Sequence, residues 1–126
     1  MTKEIISTDK APPAIGPYSQ GIKVGNLIYT SGQLPIDMKS GQLVTNDIKK
    51  ATKASLDNVQ AILEEVGSSM EKVIKTVVFI KDLEDFVAMN EVYESYFSKK
   101  APARSCVQVA KLPKDAIVEI EVIAQA

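Results

Sequence analysis

Val73-Ile74-Lys75-Thr76-Val77-Val78-Phe79-Ile80-Lys81 decides the fold. The stretch is rich in β-branched residues, and Val77 to Ile80 is almost unbroken apolar side chain. That predicts a strand covered on both faces. A helical pattern lies on each side of it. Upstream, from Asn46 to Val66, Ile48, Ala51, Ser55, Val59, Ile62, Leu63 and Val66 recur at spacings of three and four, so one stripe faces a core. Thr45 or Asn46 caps the start, and Gly67 stands where a terminal glycine belongs. Downstream, Asp82 caps a second helix with Leu83, Phe86, Val87, Asn90, Tyr93 and Phe97 on its inner face, and Ala101-Pro102 ends it.

Further out the pattern becomes strand-like. Arg104 to Ala110 and Ile117 to Ala124 read as two strands joined by Leu112-Pro113-Lys114-Asp115. Gly21 to Val24 and Leu27 to Ser31 flank Gly25-Asn26, a two-residue hairpin signal. A short strand over Lys3 to Ser7 precedes a Pro-rich loop, Ala11 to Tyr18. Gly32-Gln33-Leu34-Pro35 breaks the second hairpin strand, and Asp37 to Gly41 is a turn. The order β-β-α-β-α-β-β, with one strand in front, predicts a single α+β domain over residues 1–126. It has one mixed sheet with two helices on one face. The other face is left bare, and burial against a second subunit is the simplest cover.

Composition narrows the chemistry. The 126 residues are 45% hydrophobic and 25% charged with a net charge of −1, the balance of an ordinary domain with no general attraction to nucleic acid or anionic membrane. Cys106 is the single cysteine and there is no histidine. Ser-His-Asp and Cys-His catalysis, intrachain disulfides, and His- or Cys-rich metal sites are therefore excluded within one chain. The opening MTKEIISTDK has no secretory h-region, and no stretch is apolar for long enough to span a bilayer; a cytoplasmic location is expected.

Side chains alternate along a strand. Arg104, Cys106 and Gln108 share one face, which is oddly polar, and Ser105, Val107 and Val109 share the other, which looks like core. In the last strand, Glu119 and Glu121 oppose the apolar Val118, Ile120 and Val122. If the two strands are neighbours, Arg104 and Glu119 meet. They then form either a structural ion pair or a site in which the guanidinium grips a carboxylate and the glutamate works on water. Cys106, with no histidine to activate it, is expected to pack. Asn90 sits on an apolar stripe and is expected first to tie down a backbone group, with a role in the site as the second reading. Tyr18 either packs in its loop or holds a phenol at a pocket mouth. Gly32 either ends a strand or lets a ligand approach the backbone.

These residues resemble the Rid family of reactive intermediate deaminases, also called YjgF-like, and within it the RidA group. The resemblance rests on Ile15-Gly16-Pro17-Tyr18-Ser19-Gln20, Thr30-Ser31-Gly32-Gln33-Leu34-Pro35 and Val77 to Leu83. It continues with Pro102-Ala103-Arg104-Ser105-Cys106-Val107, Leu112 to Asp115 and Val118-Glu119-Ile120-Glu121, in order over nearly the whole chain. It implies a chorismate-mutase-like fold assembled as a homotrimer with clefts between subunits. It implies hydrolysis of 2-aminoacrylate-type enamines and their 2-imino acid tautomers to 2-keto acids and ammonia, as by a 2-iminobutanoate/2-iminopropanoate deaminase. Neither metal nor cofactor is implied. By that resemblance Arg104 holds the substrate carboxylate and Glu119 positions or activates water. Tyr18, Ser31, Gly32 and Cys106 line the pocket, and Glu121 has no catalytic role. One departure is the short segment Ser98-Lys99-Lys100-Ala101, where many relatives carry a longer loop with an aromatic before the proline.

Besides a holdase-like chaperone, of which the sequence gives no sign either way, two other classes compete with an enzyme of this kind. One is a non-catalytic module that senses a 2-keto acid or similar metabolite in the same cleft. The other is a ribonuclease, which the near-neutral charge and the missing histidine disfavour.

Overall fold

The computed structural model describes residues 2–126. The chain runs β1 (Lys3–Ile6), β2 (Gly21–Val24), β3 (Leu27–Thr30), β4 (Ile36–Asp37), β5 (Gln42–Leu43), α1 (Ile48–Glu65), β6 (Val73–Ile80), α2 (Phe86–Tyr96), β7 (Ala103–Gln108) and β8 (Val118–Gln125). Six strands form one mixed sheet in the order β1-β2-β3-β8-β6-β7, while β4 and β5 make a separate ribbon. Only β6 and β7 are parallel, as a crossover through α2 requires. Both helices cover the same face, with Ile28, Val78, Ile80, Val118, Ile120 and Val122 of the sheet beneath Leu56, Val59, Ile62, Leu63 and Met89 of the helices. The expected α+β architecture is present.

Local corrections have physical reasons. Asp47, not Thr45 or Asn46, caps α1: its Oδ1 accepts from the amides of Lys49 at 3.0 Å and Lys50 at 3.1 Å. Gly67 closes the helix with φ of 80°, a conformation that costs glycine little. Asp82 caps a short 3₁₀ turn, Leu83–Asp85, and α2 begins only at Phe86. That turn carries Leu83 out of the inner face, and Val87 also points outward at 70% exposure. Met89, wholly buried, fills the core instead. The Asp37–Gly41 turn is the tip of the β4–β5 ribbon, which Asn58 of α1 tethers by donating from Nδ2 to the carbonyls of Leu34 and Ile36.

β6 is covered on one face only. Thr76, Val78 and Ile80 are buried under the helices, while Val77 and Phe79 are half-buried on the open side. Val107 and Val109, expected in the core, do not join it; Val109 lies beyond the end of β7 and is half-buried. Val107 is 44% exposed on the open face, because β7 is an edge strand and its Arg104 side is the one that meets α2. Register places Ile5, Ile22, Tyr29 and Ile123 side by side across four strands of that open face.

Candidate active site

The expected site residues fall into two groups on opposite faces of the sheet. Against Glu119 lies Gly32, and Ser31 beside it is bonded to the segment that ends in Tyr18. Gln33 and Ile120 exchange amide–carbonyl bonds of 2.8 and 3.2 Å, which brings the strand break after β3 against β8. Gly32 lies so close to Glu119 that a Cβ there would stand 2.6 Å from its Cδ. Only a residue without a side chain leaves room for the carboxylate. Ser31 is bonded to the segment that carries Tyr18: its amide donates to the Gln20 carbonyl at 2.9 Å, and its Oγ to the Ser19 carbonyl at 2.6 Å.

Gln20 makes that segment rigid. Its side chain is buried, accepts from the Thr8 amide, and donates to the carbonyls of Thr8, Ala11 and Pro12. The proline loop, which has few amides to pair, is thereby fixed by one amide side chain. Tyr18 stands at its end, 52% exposed, with its phenol oxygen accepting weakly from the Ile15 amide at 3.4 Å. The Glu119 carboxyl is held above the usual carboxylate range, first by burial and then by Glu121, two residues along on the same face.

The second group surrounds Arg104, the sole arginine of the chain. Arg104 stands beside Thr76 in the β6–β7 register, on the helix side of the sheet. Its Cζ lies 4.6 Å from the ring centroid of Tyr93 and 5.3 Å from that of Phe86, and its Nη1 donates to Asn90 Oδ1 at 2.6 Å. Asn90 thus holds a side chain, not the backbone group expected of it. Among the described residues no carboxylate comes within ion-pair distance of the guanidinium. Cys106 follows on the same face, packed against the core edge. Burial pushes its thiol up, against a smaller opposing pull from Arg104, so it is an un-ionised packing group.

Arg104 and Glu119 do not meet in one chain. β6 lies between their strands, and Glu119 pairs with Phe79 on the open face while Arg104 pairs with Thr76 on the covered one. An intrachain ion pair is ruled out by this arrangement. Sequence reasoning also passed over Phe86 and Tyr93 as supports for the guanidinium. Their i, i+7 spacing with Asn90 between them was the available signal, although it reads equally well as core.

A chorismate-mutase-like α+β sheet, with an arginine free of carboxylates on one face and a half-buried glutamate on the other, belongs to a class of small-molecule-processing proteins. The chain belongs to the YjgF/Rid family, whose model, described as Endoribonuclease L-PSP, matches residues 8–126. It is 55% identical over 124 residues to a RutC family protein of Pyrococcus abyssi, covering 98% of both chains. It is 51% identical over 122 residues to the 2-iminobutanoate/2-iminopropanoate deaminase of Escherichia coli K12, covering 94% of each. Among solved structures it superposes on E. coli TdcF with bound serine at a TM-score of 0.92 and 47% identity, covering 98% of both chains.

Proposed function

We propose that this chain hydrolyses 2-iminobutanoate- and 2-iminopropanoate-type intermediates to 2-keto acids and ammonia. The cleft would form where the Glu119 group of one copy faces the Arg104 group of the next in a homotrimer. The observation that carries the reading is the unpaired Arg104. A half-buried guanidinium with no carboxylate of its own is held ready for an anion, and its paired N–H groups match a carboxylate. The apolar row on the open face supplies the surface that a neighbouring copy would cover.

In this reading the substrate carboxylate docks on Arg104. Water, held by Glu119, forms a bond to the imine carbon and passes a proton to the carboxylate. With the C=N π pair drawn onto the protonated nitrogen, a carbinolamine forms. Glu119 returns the proton to that nitrogen, and the C–N bond breaks with its pair leaving on ammonia. The hydroxyl oxygen forms the keto C=O as its proton passes back to the carboxylate or to water. A carboxyl whose proton affinity is raised by burial suits both halves of that exchange. Tyr18, Ser31, Gly32 and Cys106 wall the cleft. No step calls for a cofactor or metal, and the cytoplasm, where pyridoxal-phosphate dehydratases release such intermediates, is the proposed location.

A metabolite-binding module without turnover is the second reading, and the relative with bound serine favours it. The ribonuclease implied by the family description fits poorly. The chain has no histidine and a net charge of −1, and Glu119 and Glu121 would repel a phosphodiester. The deciding experiment generates the enamine in place with a threonine dehydratase and follows its decay. Wild-type protein should accelerate decay with release of ammonia. Arg104→Lys, folded, should lose most of that acceleration, because an ammonium cannot make the paired contact. Decay no faster with wild type than without protein would leave the binding module as the reading.

A further inference from the structure

Arg104 is not a loose surface side chain waiting for a ligand. Three residues of α2 at positions i, i+4 and i+7 reach it from one helix face: Phe86 and Tyr93 with their rings, Asn90 with its amide oxygen. Of the two rings, Tyr93 lies nearer and is itself fixed from several directions. Its hydroxyl is bonded to Thr76 Oγ1 at 2.7 Å, its ring packs on Phe97 with centroids 4.7 Å apart, and the residue is buried. Thr76 is the register neighbour of Arg104 across β6 and β7. The sheet pair that carries the arginine therefore also carries the anchor of the ring beneath it.

We infer that Tyr93 is a positioning residue: its ring is the floor that holds the Arg104 guanidinium in place for a ligand carboxylate. This rests on the reading of Arg104 as the carboxylate clamp. The physical reason is pre-organisation. A long flexible side chain that must be ordered on binding weakens affinity, and one already seated on a fixed aromatic face does not. The ring quadrupole attracts the cation, and the ring blocks approach from its own side. Asn90 occupies Nη1, so the other N–H groups are left for the ligand. The hydroxyl serves a separate purpose, tying the ring to β6, so ring and hydroxyl can be tested apart.

The test compares equilibrium binding of 2-oxobutanoate with that of its uncharged amide, 2-oxobutanamide, by calorimetry on the full chain. Tyr93→Leu should lower the acid-to-amide affinity ratio about tenfold. Tyr93→Phe, which keeps the ring, should restore that ratio. A purely structural tyrosine would weaken both ligands together and leave the ratio unmoved, which would overturn the inference. A measurement on the wild type covers the case in which Tyr93→Leu does not fold. The Arg104 Nε–H proton resonance should be displaced upfield by the rings, and a resonance at the position of a free arginine would overturn the inference equally. Arg104→Ala separates the two levels. If it leaves the ratio unchanged, the carboxylate reading falls and the inference with it. If it collapses the ratio while Tyr93→Leu does not, only the role of Tyr93 falls.

Discussion

Arg104 and Glu119 stand on opposite faces of one sheet with β6 between them. A site that needs both must therefore draw them from different copies. Mixing Arg104→Ala with Glu119→Gln, each inactive alone, should regenerate activity once the copies exchange. Random equal mixing in a ring leaves about a quarter of the clefts with both native residues. The check is imine decay before and after partial denaturation and refolding of the mixture; no recovery would place the chemistry within single chains.

Glu119 sets a pH dependence with two opposite signs. Its folded-state pKa lies above the ordinary carboxylate value because burial, and then Glu121, disfavours the charge. In the window between the unfolded and the raised folded pKa, the native state holds the extra proton, so stability falls as pH rises through it. Glu119→Gln should therefore melt higher than wild type at neutral pH and nearly level with it below the carboxylate range. The same variant should lose the rising limb of the rate–pH profile. Calorimetric scans and initial rates on the same samples check both.

Gly32→Ala tests the close approach on the Glu119 side. The added methyl would overlap the carboxylate, which must swing away; Gly32 and Glu119 are both half-buried, so the side chain can turn toward the open face. Activity should fall about tenfold or more for a shift of this kind. The melting temperature should move little. A crystal structure of the variant would show the carboxylate displaced; unaltered rates would mean that its position is not critical.

Thr76→Val keeps the shape of a buried side chain and removes the partner of the Tyr93 hydroxyl. Leaving that hydroxyl buried and unpaired should cost about 1–3 kcal/mol of stability. Urea unfolding of the two proteins measures it directly, and a loss within error would show that the hydroxyl finds water instead.

Much of this was legible in the sequence because it is local. The α1 stripe, the glycine that closes α1, the Gly25-Asn26 turn and the alternation in β8 each depend on residues a few positions apart. Pairing between distant strands does not. Nothing in Arg104 to Val109 or in Val118 to Ile123 says that β6 separates them, so the two strands were easily imagined as neighbours. Alternation also reveals two faces without saying which is covered. At the edge strand β7 the rule that apolar means inside failed, since the covered face is the one bearing the arginine. Asn90 showed itself as a polar residue on an apolar stripe. Its partner lies fourteen residues away on another element, and only the packing of α2 on β7 identifies it.

The contact between Gly32 and Glu119 also bears on how such a chain can change over generations. While the glutamate is present, almost any side chain at position 32 is barred. Once the glutamate is lost, alanine or serine becomes harmless there, and drift can fill the space. Restoring Glu119 afterwards would meet an occupied position. Loss of the carboxylate would then act as a ratchet, easy to pass and hard to reverse without a second change at the glycine.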